Sequence, residues 1–170
     1  MRKLRLLSIP SLLVLLGSGC QPTPEPAAES TAPPRTEDQV QADVEALRAR
    51  WQELANARDV AGVANLYTED AYYADQYGGI HDGRAAIAAY LEQSLPNSSG
   101  YDIQIGGTVM DGDMVASYGT WSAKLALPAG ELATGGLWQT LGVYQADGSL
   151  QLRLHHSTIP AAAPGPPPIT

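Results

Sequence analysis

The sequence has 170 residues, with 10 Lys and Arg against 18 Asp and Glu, which gives a formal charge of −8. This length suits one compact domain with tails, and the few scattered basic residues argue against a nucleic-acid-binding surface. Cys20 is the only cysteine, which excludes an intramolecular disulfide and a cysteine-based zinc site. Apolar residues make up 44% of the chain, which is enough to form a core.

The first 19 residues have the layout of an export signal. Arg2, Lys3 and Arg5 precede an apolar run over residues 6–16, which is shorter than the roughly 20 residues of a membrane-spanning helix. Small residues then lead to Cys20. This ending resembles the lipobox of bacterial lipoproteins, in which the cysteine is acylated, for example with palmitate, and becomes the new N-terminus. Ordinary cleavage by signal peptidase and an uncleaved anchor are the alternatives.

The lipobox resemblance implies a protein anchored by lipid in the bacterial cell envelope. The residue after the cysteine is Gln21 and not an Asp, which in the lipoproteins that the chain resembles favours sorting to the outer membrane. We therefore expect the anchor in the outer membrane, with the domain facing the periplasm. Removal of residues 1–19 takes away three positive charges and leaves seven Lys and Arg against 18 acidic residues, formally −11. Because anionic lipid repels such a surface, membrane attachment would depend on the acyl chains.

Two proline-rich segments flank the part of the chain that is predicted to fold. Residues 20–35, which begin with the lipidated cysteine, hold five prolines and indicate a linker. Residues 160–170 hold five more and indicate a disordered tail. The folded domain is therefore expected over residues 36–159.

The first half of this domain has mainly helical patterns. Thr36 and Gln39 form a capping box, and an apolar stripe with spacings of four and three predicts a helix to about residue 58. Asp59 is placed to cap a second, short helix that holds Val63, Leu66 and Tyr67. A third helix is predicted over residues 84–95, and a short aromatic strand over residues 71–75 precedes it.

The apolar period changes to two after the third helix. Alternating residues predict four antiparallel strands, which begin near Tyr101, Met114, Leu132 and Leu150, with Asp-Gly pairs as turns. The pair at residues 106–107 is expected to form a bulge. The order of helix, helix, strand, helix and four strands predicts an α+β domain with helices packed on one face of a bent sheet.

Three segments resemble the nuclear transport factor 2-like superfamily, which includes SnoaL-like cyclases and ketosteroid isomerases. They are residues 65–75 (Asn-Leu-Tyr-Thr-Glu-Asp-Ala-Tyr-Tyr-Ala-Asp), residues 83–90 (Gly-Arg-Ala-Ala-Ile-Ala-Ala-Tyr) and residues 152–158 (Leu-Arg-Leu-His-His-Ser-Thr). The last segment is similar to the final strand of the calmodulin-kinase association-domain branch. The resemblance covers about residues 39–160. It implies a cone of three helices on a curved, mostly antiparallel sheet around an apolar cavity, but no single activity.

The resemblance makes Asp75 the first candidate for a catalytic residue, because it falls where ketosteroid isomerases place their general base. That chemistry needs a carboxylate in a partly dry pocket. Trp51 and Thr140 align with the two donors that those enzymes direct at the enolate oxygen. Neither reproduces the donor pair, which argues against steroid isomerase activity. The alternative for Asp75 is a turn carboxylate that accepts backbone N–H groups near residues 78–79.

His156 is the second candidate. Alternation places it on the same strand face as Leu150, Leu152 and Leu154, pointing into the cone, with His155 on the opposite face. An inward histidine would serve as an acid or base near neutral pH; the alternative is a buried imidazole that a neighbouring hydroxyl or carbonyl satisfies. The spacing of His and acidic residues fits no metal-ligand set, so we expect neither a metal nor a cofactor.

Aromatic side chains that carry a polar group are candidates for a pocket wall, because the chain has no Phe. Thr140 is included because it shares a strand face with Trp138. The core is the alternative place for all of these residues, and it is favoured for the tryptophan of the helical stripe. The candidates are Trp51, Tyr73, Tyr118, Trp138, Thr140 and Tyr144.

Two kinds of function are consistent with these residues. In the favoured one, the domain is a non-catalytic module that binds a small hydrophobic ligand or assembles through its sheet as a homodimer, as its relatives do. In the alternative, it is an enzyme of the isomerase, cyclase or hydratase type, with Asp75 as general base and His156 assisting. We favour the first because the donor pair of the isomerases is missing and no complete catalytic set replaces it.

Overall fold

The computed structural model describes residues 35–160. The predicted signal peptide, Cys20, the linker up to residue 34 and the tail after residue 160 lie outside the described residues. None of the helices within residues 35–160 is both long and apolar enough to span a membrane. The helices are α1 (Glu37–Ala57), α2 (Val60–Ala64) and α3 (Arg84–Ser94), with a 3-10 turn at Leu95–Asn97. The strands are β1 (Tyr67–Ala74), β2 (Ile80–Asp82), β3 (Ser98–Asp111), β4 (Met114–Leu127), β5 (Gly130–Tyr144) and β6 (Leu150–Thr158).

The six strands form one sheet in the order β2-β1-β6-β5-β4-β3. Strands β3 to β6 are joined by antiparallel pairing in chain order. β1 pairs antiparallel with β2 but parallel with β6, so the first and last long strands lie side by side. The predicted α+β class is confirmed.

Helix α1 begins at the predicted capping box. The Gln39 N–H donates to Thr36 Oγ1 at 3.3 Å, and the Thr36 N–H donates to Gln39 Oε1 at 2.9 Å, which satisfies donors that the first turn leaves free. The helix ends at Arg58, whose backbone is left-handed (φ 58°). Its apolar stripe faces the sheet, and Arg48 and Gln52 bond the backbone of Ile103 on β3. These bonds fix the helix across the concave face.

Two clusters of buried side chains lie between the helices and the sheet. The larger one joins α1, α2, α3, β1 and β6, and its most enclosed members are Ala55, Val63, Tyr67, Ala71 and Ile87. The smaller one joins α1 to β4 through Val40, Val44 and Val115. Burial of each large apolar side chain contributes about 1.5–3 kcal/mol. Both clusters contribute residues to the cavity described below.

Strand β1 begins four residues earlier than predicted, so Tyr67 belongs to the sheet and not to the second helix. The reason is non-local: the Leu152 N–H of β6 donates to the Leu66 carbonyl at 2.8 Å, and Tyr67 pairs with Leu152. The short strand β2 was not predicted either. The start of β1 depends on pairing with β6, which is distant in sequence. Strand β2 is too short to show a strand pattern, so local patterns predict neither feature.

The pairing register of the sheet shifts at several places, and two of these bulges matter for the site. The register between β3 and β4 shifts at Ile105 and Gly107, which confirms the bulge predicted at residues 106–107. The second bulge is in β6. Leu154 pairs with Leu141 and Leu152 with Gly142, so Arg153 is left without a partner on β5. An extra residue in one strand exchanges the two faces of that strand beyond the bulge.

Candidate functional site

A cavity of about 290 Å³ lies between helix α1 and the sheet. Helix α1 contributes Val44, Leu47, Arg48 and Trp51 to its wall, and the end of α3 contributes Tyr90 and Leu91. Tyr73 of β1 and the turn residues Gln76 and Tyr77 line it as well. Most of the remaining wall comes from the inner faces of β3 to β6, including Ile103, Val115, Ser117, Trp121, Trp138, Thr140, Leu152, His155 and Ser157. Cavities that hold small molecules are lined in this way by apolar and aromatic side chains with a few polar groups.

A chain of hydrogen bonds runs from helix α1 to the cavity wall on β6. The Trp51 indole N–H donates to the Tyr67 hydroxyl at 3.1 Å, and that hydroxyl lies 2.7 Å from His155 Nδ1. The other ring nitrogen of His155, Nε2, lies 3.2 Å from Ser157 Oγ. We call these four residues the donor chain. Trp51, His155 and Ser157 line the cavity, whereas Tyr67 lies fully buried behind it.

Aromatic rings enclose the imidazole of His155. The Tyr73 ring stacks on it at 4.5 Å between centroids, and the Trp51 ring meets it edge-on at 6.1 Å. His155 is only 8% exposed. Burial, with a smaller contribution from neighbouring His156, lowers the pKa of His155 from 6.5 to about 3. The ring is therefore neutral at physiological pH.

The two tyrosines beside His155 also stay neutral. Burial raises the pKa of Tyr67 well above its usual value, against the opposing effect of the hydrogen bond from Trp51. Burial likewise raises the pKa of Tyr73, and nearby tyrosines add to the shift. This end of the cavity therefore offers hydrogen-bonding groups without charge.

Arg48 is the one cationic side chain in the cavity wall, and its charge is already paired. Its guanidinium donates to Glu45 through Nε and Nη2, at 3.1 Å and 2.5 Å, and through Nη1 to Gln52 at 3.0 Å and the Ile103 carbonyl at 2.9 Å. No Asp, Glu or Lys lines the cavity among residues 35–160. In the same part of the chain, no group of three or more His, Cys, Asp or Glu is arranged to hold a metal ion.

Asp75 lies at the turn between β1 and β2, and it is not among the residues that line the cavity. Its Oδ1 accepts the backbone N–H groups of Tyr77 (2.8 Å) and Gly79 (2.9 Å), and its Oδ2 lies 2.8 Å from His81 Nε2. Burial favours the neutral acid, but the bonds from His81, Gly79 and Tyr77 outweigh it and lower the pKa of Asp75. This arrangement matches the turn-carboxylate alternative, with His81 as an additional partner.

The expectation that His156 points into the cone is wrong. The bulge at Arg153 exchanges the faces of β6, so that His155 and Ser157 point inward while Leu154 and His156 point outward. The alternation from Leu150 to Leu154 gave no sign of this extra residue. Arg153 itself is held outside by Asp70 of β1, whose carbonyl and carboxylate it contacts.

Tyr118 and Tyr144 also require correction as pocket candidates. Tyr118 is 55% exposed on the outer face of β4, because its neighbours Ser117 and Gly119 take the inner positions. Tyr144 lies near the end of β5, where its hydroxyl donates to Asp43 of α1 at 2.8 Å and Arg35 covers its ring. Neither lines the cavity.

The structure places Trp51, Tyr73, Trp138 and Thr140 in the cavity wall. The indole N–H groups of Trp51 and Trp138 already have partners: that of Trp138 donates to the carbonyls of Gln104 and Thr120. The indole nitrogen of Trp121 is buried without a partner among the described residues. Trp51 therefore donates to Tyr67 and is not a free donor of the isomerase kind.

Sequence reasoning missed most of the polar residues of the cavity. Tyr67 was assigned to a helix, His155 was placed on the outer face, and Ser117, Trp121 and Ser157 were not singled out. Strict alternation along β4 identifies Ser117 and Trp121, because Val115 and Ala123 of the same strand are buried. His155 and Ser157 depend on the bulge and had no signal in the sequence.

The comparisons with known proteins agree with this architecture. The SnoaL-like domain family matches residues 48–147, more than half of the chain, and the protein therefore belongs to that family. A comparison with curated proteins finds no significant match.

Solved structures support the fold at low sequence identity. A ketosteroid isomerase-like protein from Erwinia carotovora has a TM-score of 0.65 at 16% identity, and the match covers 71% of this chain and 96% of that one. A protein from Xanthomonas campestris, described as a calcium/calmodulin-dependent protein kinase II association domain, has 0.62 at 19%, covering 79% and 96%. A nuclear transport factor 2-like protein with a cystatin-like fold from Novosphingobium aromaticivorans has 0.58 at 18%, covering 70% and 80%. These structures share the fold of this SnoaL-like domain.

Buried, neutral His155 predicts a characteristic loss of stability in mild acid. The pKa of His155 is about 3 in the folded state and near 6.5 when the chain is unfolded. Between these values the unfolded chain binds the proton more readily, so stability falls as the pH falls, by up to about 1.4 kcal/mol per pH unit. We expect this slope in the free energy of unfolding by urea between pH 6 and pH 4.5, and a flatter one in His155→Gln.

His156→Gln is the matched control, because His156 is the adjacent histidine on the outer face. It should keep most of the wild-type slope. Equal slopes in the wild type and in His155→Gln would show that His155 does not hold its neutral form in the folded domain.

Proposed function

We propose that the domain binds one small, largely apolar molecule in the cavity beneath helix α1. The observation that carries this proposal is a cavity of about 290 Å³ with aromatic and aliphatic walls and no unpaired charge among its described residues. This volume is near the lower end of the roughly 300–1,000 Å³ typical of ligand pockets. A compact molecule of two or three rings fits such a space better than a long chain.

Proton-transfer catalysis is the weaker candidate. A general base needs a free lone pair directed at the substrate, but Asp75 uses its oxygens to bond Tyr77, Gly79 and His81 outside the cavity wall. His156, the proposed assistant, faces outward. His155 does line the cavity, yet its low pKa makes it a poor proton acceptor at neutral pH. The proposal is therefore binding without chemistry.

A substitution that fills part of the cavity with a larger side chain tests the proposal. N-phenyl-1-naphthylamine is a neutral probe that fluoresces in apolar surroundings, and we expect the full-length chain with Cys20→Ser to bind it. Thr140→Phe projects a ring into the cavity and should weaken binding at least tenfold. Thr120→Phe makes the same substitution at an exposed position of β4 that lines neither the cavity nor the groove on the outer face, and it serves as the control. Equal affinity in the two variants would place the probe elsewhere and contradict the proposal.

The outer face of the sheet favours self-association as a second function. An apolar groove on this face is lined by Val109, Tyr118, Leu137, Leu141 and Leu154, several of which are largely exposed. Large exposed apolar patches commonly mark protein interfaces, and a two-fold dimer needs only one patch that fits itself. The similar structure described as a kinase association domain adds support for assembly through this fold. We infer a homodimer formed by this outer apolar face.

A charge in the centre of the outer apolar face tests this inference. Leu137→Lys should convert a dimer into a monomer in sedimentation velocity, because burial of an unpaired ammonium is unfavourable. Leu132→Lys changes an equally exposed leucine of β5 at the β4–β5 hairpin and should leave the dimer intact. A wild-type protein that sediments as a monomer at all concentrations tested would refute the dimer.

We also propose that the mature protein is a lipoprotein attached to the outer membrane through Cys20. The support is the basic and apolar pattern of residues 1–19 and the small residues before the cysteine. A strongly acidic mature chain has little attraction for anionic lipid, so the acyl chains would supply the attachment.

Labelling with palmitate tests the anchor directly. The wild-type protein should incorporate labelled palmitate in a bacterial host and fractionate with the outer membrane. Cys20→Ser should lose both the label and the membrane association, whereas Ser18→Ala keeps the cysteine and should retain them. Label in the Cys20→Ser protein would rule out this residue as the attachment site.

A further inference from the structure

The hydrogen bonds of the donor chain all donate in the same direction along it, and Trp51 determines which direction that is. An indole nitrogen can donate a hydrogen bond but cannot accept one. The Tyr67 hydroxyl oxygen therefore accepts from Trp51, and its own proton must go to a different partner. Among the described residues, the only other group in hydrogen-bond contact with this hydroxyl is His155 Nδ1, at 2.7 Å. Tyr67 thus donates to His155.

The imidazole ring of His155 continues the same direction of hydrogen-bond donation. A neutral histidine carries one proton, and Nδ1 acts as the acceptor from Tyr67, so the proton is on Nε2. That N–H points to Ser157 Oγ at 3.2 Å and donates to it. Burial of the ring keeps it neutral, since its pKa is about 3. The three bonds therefore donate in one direction along the chain, from Trp51 through Tyr67 and His155 to Ser157, whose side chain lines the cavity.

Ser157 is the last member, and it retains its own hydroxyl proton for another acceptor. The side chain lines the cavity. The Tyr73 hydroxyl is close enough to Ser157 for a hydrogen bond from the serine to lower its pKa, and Tyr73 lines the cavity too. When Tyr73 accepts from Ser157, the proton of Tyr73 becomes the free one. In both cases the chain ends in a hydroxyl donor on the cavity wall.

We infer that the donor chain presents the Ser157 hydroxyl as a hydrogen-bond donor to the ligand, which is an uncharged apolar molecule with an acceptor oxygen, such as a ketone, ester or lactone. Trp51 and Tyr67 act as positioning residues, because they determine which way the hydrogen bond between His155 and Ser157 points without taking part in that bond. This inference rests on the proposed ligand-binding function. The pairing of Arg48 with Glu45 disfavours an anionic ligand, because residues 35–160 then contribute no unpaired cation to the wall.

Two ligands of nearly equal shape test the acceptor requirement. 1-Tetralone carries a carbonyl oxygen, and 1-methylenetetralin has a CH₂ group in its place. We expect the full-length Cys20→Ser chain to bind the ketone about fivefold more tightly, measured by displacement of N-phenyl-1-naphthylamine, because a hydrogen bond in a dry cavity favours binding by about that factor. Equal affinities would overturn the inference.

Two serine variants identify the donor. Ser157→Ala should reduce the preference for the ketone to less than twofold while the affinity for the alkene stays within a factor of about two. Ser122→Ala is the control, since Ser122 is an exposed serine of β4 that does not line the cavity. It should keep the fivefold preference. A preference that persists in Ser157→Ala would overturn the role of Ser157.

Nitrogen NMR tests the direction of the chain without any ligand. In ¹⁵N-labelled protein, the unprotonated nitrogen of His155 should be Nδ1, which couples to Hε1 alone, and the protonated one Nε2. The signals are assigned by their loss in His155→Gln. Trp51→Phe removes the group that fixes the direction, so both tautomers should appear. A wild-type proton on Nδ1 would overturn the inference.

The two proposals fail in different ways. If the ketone and the alkene bind equally and Thr140→Phe blocks both, the cavity binds ligands but the donor chain does not select them. If neither ligand nor the probe binds, the proposed function fails and the ligand class fails with it, whereas the tautomer measurement still decides the direction of the chain.

Discussion

The bond between the Tyr67 hydroxyl and His155 Nδ1 connects the two halves of the domain. Tyr67 lies on β1 and His155 on β6, and Trp51 extends the connection to helix α1. An imidazole without partners in this place would be strongly unfavourable, because buried polar atoms lose their bonds to water. With both nitrogens bonded, the ring is accommodated as a neutral group among aromatic side chains. The wall of the cavity at this end is therefore rigid in both shape and polarity.

This arrangement depends on one extra residue in β6. Without the bulge at Arg153, Leu154 and His156 would face inward, and the cavity would meet an apolar side chain where the donor chain now ends. The irregularity also extends to β1, where Tyr67 pairs with Leu152 and Tyr72 with Leu154. Between these two pairs, four residues of β1 lie opposite a single residue of β6. Tyr73 is the β1 residue in register with His155, and Tyr67 reaches the imidazole through its hydroxyl.

Local patterns account for much of the fold but for little of the site. The capping box of α1, the start of α3 at Arg84 and the bounds of β4 and β6 follow from caps, turns and alternation, all of which act within a few residues. Trp138 and Thr140 are predictable for the same reason. His155, Tyr67 and Ser157 are not, because their positions follow from the bulge and from parallel pairing between strands about 85 residues apart, roughly half the chain. Resemblance to the family directed attention to Asp75, which the turn instead engages through backbone bonds.

The inner and outer faces of the same strands carry different physical properties. On β5, Trp138 and Thr140 face the cavity, while Leu137 and Leu141 belong to the outer apolar face. Alternation keeps these sets separate, so ligand binding and self-association involve different side chains on a shared backbone. The strands are continuous through both faces, and the bulge in β6 exchanges the two faces of that strand. A dimer through the outer face would therefore hold the backbone beneath Ser157 in place, and the donor chain would meet the ligand from a more rigid sheet.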